Sequence, residues 1–152
     1  SMYPVYMRTR SLRLTLAIAF IFTLYFAYVM LFTSQMLLDI YDLVEFDAMH
    51  RYLSMVGGSL LVVIAIATAL AFLRPLKYVN LIIVLILYHL ARFVVDLILI
   101  AQGNTSWNIL VPEMVYFLVV CGALIRFFPS KAEKVIGEEK PKEEPTSSKQ
   151  SL

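Results

Sequence analysis

The sequence has little charge, little cysteine and little histidine. Of 152 residues one is cysteine and two are histidine, and only 16% are Asp, Glu, Lys or Arg. A lone Cys121 excludes a disulfide scaffold and dithiol exchange. His50 stands near the start of one apolar run and His89 in the middle of another. That difference in height argues against bis-histidine haem. No second ligand stands at metal spacing around His89, no glycine-rich phosphate loop occurs, and no nucleophile motif is present. No metal and no cofactor are therefore expected. A net charge of +2 is too small to suggest nucleic acid.

What remains is apolar. Hydrophobic residues make up 61% of the chain, where a soluble domain has just under half. Ten of the charged residues crowd into positions 131–152, which leaves only 14 for the first 130. An integral membrane protein is the expectation.

Four runs, 14–32, 53–73, 79–101 and 109–128, approach the roughly 20 residues a helix needs to cross about 30 Å of hydrocarbon. They are apolar on both parities, which excludes spanning strands. The first run is too long for a signal-peptide core and continues past Thr33-Ser34-Gln35 into more apolar residues. The expected fold is all-α, a four-helix transmembrane bundle over 14–128. A short cytoplasmic segment 1–13 precedes it and a disordered cytoplasmic tail 129–152, alternating Lys and Glu, follows. The Asn104-Thr105-Ser106 sequon is discounted as a chance match in a short loop. No internal repeat of the inverted-transporter kind is visible, and nothing resembles a selectivity filter.

Basic residues set the orientation. Arg8, Arg10, Arg13, Arg74, Lys77, Arg126, Lys131 and Lys134 fall on one side of the four runs, and Arg51 alone on the other, beside Asp39, Asp42, Glu45 and Asp47. The positive-inside rule then predicts both termini in the cytoplasm. Trp107 and Tyr52 would mark the outer interface, and a plasma or inner membrane is favoured over an organellar one.

Ionisable groups inside a span cost about 2.5–3.5 kcal/mol each and need a reason. The third run carries His89, Arg92 and Asp96 within an arc of about 60° on one helical face. Arg92 and Asp96, four residues apart, could pair simply to fix packing. Alternatively the face lines an outward-opening polar well, with Glu113 opening the fourth helix behind Pro112 and Arg51 leading the second. Tyr28 and Tyr116 would be its amphipathic walls. Pro112-Glu113 also suits a helix first turn, and Arg51 could simply snorkel. Ser54 and Gly58 read as a small-residue packing face.

With Arg51, Gly57-Gly58, Arg92, Gly103 and Glu113 in place, the segment 45–124 resembles small bacterial four-helix membrane proteins. These are the DoxX-like group and its neighbours known as domains of unknown function. They share an Arg leading into a Gly-containing second helix, an Arg in the third followed by a Gly at its exit, and an acid opening the fourth. The resemblance implies the four-helix fold and an inner-membrane location, and little about activity. A looser architectural likeness is to sterol isomerases and sigma-type receptors, with no motif to carry over.

The expected function is binding of a small amphiphile or membrane lipid by Arg92, Asp96, His89, Glu113, Arg51, Tyr116 and Tyr28. Arg92 would bond an anionic or carbonyl group, Asp96 and Glu113 would orient it, and His89 would give pH sensitivity. Two alternatives stand beside it: a lipid or sterol isomerase using His89 and an acid for proton transfer, or an accessory subunit of a larger membrane complex. A homo-oligomer is a further option.

Overall fold

In the computed structural model, residues 3–41, 47–103 and 107–129 are described, and among them every regular element is helical. The expected tail beyond residue 129, the sequon and the middle of the acidic loop lie outside these residues. The helices are α1 (Tyr3–Phe32), α2 (Met36–Tyr41), α3 (Ala48–Leu73), α4 (Val79–Ala101) and α5 (Trp107–Arg126). Four of them, α1, α3, α4 and α5, are long and apolar enough to cross a membrane, as a multi-pass membrane protein requires.

Three helix starts differ from the sequence expectation. α1 starts at Tyr3, so most of the segment expected to precede the first span is part of that helix. Two of its arginines reach across to close other helices. Arg8 Nη2 donates to the Phe128 carbonyl at 2.6 Å, just past the end of α5, and Arg13 Nη2 donates to the last carbonyl of α3, Leu73, at 3.4 Å. A cation on the orphan carbonyls of a helix C-terminus is favourable for both its hydrogen bond and its charge. α3 begins at Ala48, five residues before the expected span, because Asp47 caps it: its carboxylate accepts from the His50 backbone N–H at 2.8 Å. α5 begins at Trp107, which puts Pro112 inside the helix and takes Glu113 out of the first turn. The dipole explanation of Glu113 therefore lapses.

α1 packs on α3 and α5, and α4 packs on α5 and α3, so the four spans close a ring in the order α1, α3, α4, α5. At the arginine-rich end, Leu12, Leu16, Ala71, Ile82, Leu85, Val120 and Leu124, from all four helices, form one buried core. Toward the other end α1 and α3 pair tightly. Ser54 Oγ donates to the Met30 carbonyl at 2.8 Å. A Cβ placed on Gly58 would lie 2.8 Å from Leu31 Cγ, so this contact requires glycine. Two residues past the end of α4, Gly103 takes a left-handed φ of +70° and its N–H donates to the Ile100 carbonyl at 3.0 Å.

Candidate functional site

The polar groups of α4 sit just above the core, where α5 covers the same face. The face runs Ile82, Leu85, His89, Arg92, Asp96, the three- and four-residue spacing that keeps side chains on one side of a helix. Ile82 and Leu85 belong to the core, His89 and Asp96 are 1% exposed, and Arg92 keeps 37% of its side chain accessible. Arg92 lies two residues past the middle of α4, about 3 Å from the helix midpoint at 1.5 Å per residue.

Arg92 Nη2 donates to Glu113 Oε1 of α5 at 2.5 Å, while Asp96 Oδ1 stands 3.9 Å away. The guanidinium carbon lies 5.3 Å from the centre of the Phe117 ring, one turn along α5 from Glu113. The expected i,i+4 pair within α4 is thus the longer of two contacts, and the hydrogen-bonded partner comes from the neighbouring helix. Two carboxylates share one guanidinium. Asp96 Oδ2 is buried without a hydrogen-bond partner, an arrangement that costs about 1–3 kcal/mol unless something satisfies it. Arg92 spends only Nη2 on these contacts, leaving Nε and Nη1 as donors with no protein acceptor among the described residues.

His89 is fixed from below. Its Nδ1 lies 2.7 Å from the Leu85 carbonyl, which can only accept, so Nδ1 carries the proton and donates. Nε2 is buried and unpartnered. Around it stand Tyr88 at 5.1 Å, Phe117 at 5.8 Å and Tyr116 at 6.1 Å between ring centres. Phe22 of α1 stacks on Tyr116 at 4.8 Å and brings the first helix to the site. Thr23, buried on α1, lies beside the Tyr116 hydroxyl.

The structure therefore brings together Arg92, Asp96, His89, Glu113 and Tyr116. Arg51 and Tyr28 stand elsewhere. Tyr28 is half exposed on α1 with its ring 5.4 Å from Phe32. Arg51 is exposed at the start of α3 and lines a groove with Phe32, Gln35 and Met36. Phe117, Phe22, Tyr88 and Thr23 escaped the sequence reading. Phe117 carried one usable signal, its four-residue spacing from Glu113.

Comparison of the chain with protein-family models, with curated proteins and with solved structures finds no match.

Proposed function

We propose that the seam between α4 and α5 binds the polar head of a small amphiphile or lipid, with the apolar body lying along the bundle. The observation that carries this reading is Arg92: a guanidinium near mid-span, held by Glu113 and Phe117, that remains 37% accessible with donors unspent. A polar group at that depth is too costly to leave facing acyl chains, so it calls for an occupant. Because Glu113 already neutralises it, the fitting head is a neutral oxygen acceptor, a carbonyl or hydroxyl, rather than an ionised anion.

Arg92 lies past the middle of α4, on the side away from the end that holds Arg8, Arg10, Arg13, Arg74, Lys77 and Arg126. With that end cytoplasmic, both termini lie inside and the seam is reached from the outer leaflet of a plasma or inner membrane. The DoxX-like resemblance stays part of this proposal; two of the residues that carry it, Arg92 and Glu113, are in contact.

A helix of a larger complex laid over the seam would cover Arg92 equally well. The isomerase alternative is weaker, because the His89 nitrogen that would move a proton is sealed beneath the aromatic rings. Thermal unfolding in detergent, with and without added fractions of a membrane lipid extract, tests the binding reading. At least one fraction should stabilise the wild type and not the Arg92→Met/Glu113→Gln double variant, which removes the donors together with the carboxylate they bond at 2.5 Å. A stoichiometric protein partner with no responsive fraction would favour the subunit reading.

A further inference from the structure

Apart from this seam, the α1–α3 hairpin holds two adjoining clefts at its end opposite Arg13 and Arg74. One, of about 510 Å³, is lined by Phe32, Gln35, Met36, Arg51 and Met55 among others. The second, of about 460 Å³, is lined by Asp47, Tyr52, Arg51 and Met55, so Arg51 and Met55 form the wall between them. Both volumes are within the range of ligand-sized clefts. Arg51 is exposed and makes no hydrogen bond or ion pair through its side chain among the described residues. Asp47 Oδ1 is occupied by the backbone N–H and the ring Nδ1 of His50, each at 2.8 Å, which leaves Oδ2 as an acceptor.

We propose that this paired groove binds the head group of a zwitterionic phospholipid, its phosphate on Arg51 and its primary ammonium on Asp47 and the Tyr52 ring. Depth supports it. Arg51 lies nine to ten residues from the centre of α3, about 14 Å at the helical rise, near the edge of a hydrocarbon slab about 15 Å in half-thickness. That is where lipid phosphates sit. Charge order supports it as well. The Arg51 N–H bonds the Asp47 carbonyl at 3.1 Å, so cation and anion stand one helical turn apart, the step that separates the two charges of a phosphoethanolamine head. They do not pair with each other: Arg51 is open to an anion, and Asp47, which holds His50 through Oδ1, offers Oδ2 to a cation. Phe32, Met36 and Met55 then offer an apolar wall to the acyl chain. This site is independent of the Arg92 seam.

Native mass spectrometry of the full chain, titrated in detergent with phosphatidylethanolamine or phosphatidylglycerol, tests the assignment. The wild type should bind phosphatidylethanolamine about tenfold more tightly than phosphatidylglycerol, which has a phosphate and no ammonium. Arg51→Gln should weaken both about tenfold. Asp47→Asn, which keeps a good helix cap, should bring the two lipids to parity. Arg10→Gln, an exposed cation at the opposite end, should change neither. Equal affinity of the wild type for the two lipids, or an Arg51→Gln variant that binds as the wild type does while unfolding at the same temperature, would overturn the proposal.

Discussion

Arg92 on α4 gives its hydrogen bond to Glu113 on α5, at 2.5 Å, and stands 3.9 Å from Asp96 on its own helix. The closer ion pair therefore ties two spans together, and the second carboxylate, at the longer distance, keeps one oxygen unsatisfied. Breaking one side of such a pair leaves a buried charge, whereas removing both sides does not.

Double-mutant cycles should reflect that geometry. Arg92→Met alone should cost about 3–5 kcal/mol, since it strands two carboxylates. The coupling energy of Arg92 with Glu113 should be about 1–3 kcal/mol and exceed that of Arg92 with Asp96. Reversible unfolding of the detergent-solubilised protein measures both.

The close approach of α1 and α3 makes Gly58 sensitive. Gly58→Ala would place a methyl 2.8 Å from Leu31 Cγ and 3.1 Å from Met30 Cβ, and should cost about 1–3 kcal/mol. Gly122→Ala meets nothing within 4 Å and should be neutral or slightly stabilising. The same unfolding assay separates the two.

Acid should loosen the start of α3. The hydrogen bond from the His50 backbone N–H, with a second from its ring, holds the Asp47 carboxyl below its ordinary value of about 3.9. A carboxyl depressed on folding adds stability above its unfolded value and loses it as pH falls through the folded one. Asp47→Asn should keep the cap and flatten this acid limb below about pH 4, whereas Asp47→Ala should lose the cap at every pH. Hydrogen exchange at the first turn of α3, followed against pH, reads it.

Arg8 closes α5 with a 2.6 Å bond to Phe128, and Arg13 closes α3 with one of 3.4 Å. Arg8→Gln should therefore destabilise by about 1–2 kcal/mol and Arg13→Gln by less. Thermal unfolding ranks them.

The four spans were legible because hydrocarbon thickness fixes the length of an apolar run, and 79–101 matches α4 residue for residue. Helix ends were less legible where they depend on partners distant in sequence: Arg8 reaches Phe128, 120 residues away. The spacing of His89, Arg92 and Asp96 placed them on one face, as found. Their partners were harder to read, since helical periodicity says nothing of which neighbour covers that face. Pro112 normally opens a helix, so the sequence allows first-turn chemistry for Glu113 beside its place in the well; α5 starts five residues earlier, and Glu113 answers to Arg92. Arg51 joins the expected well by depth and Tyr28 by its aromatic stripe, and neither says on which side of a ring of helices a residue falls.

The account turns on whether the accessible guanidinium of Arg92 holds a small molecule. Native mass spectrometry of the full chain, purified in a mild detergent and compared with Arg92→Met/Glu113→Gln, tests this most directly. The wild type should carry one small-molecule mass more than a folded double variant, with any lipid held at the Arg51 groove common to both. A wild type and a double variant that carry the same added masses, with every lipid fraction shifting their unfolding equally, would contradict it.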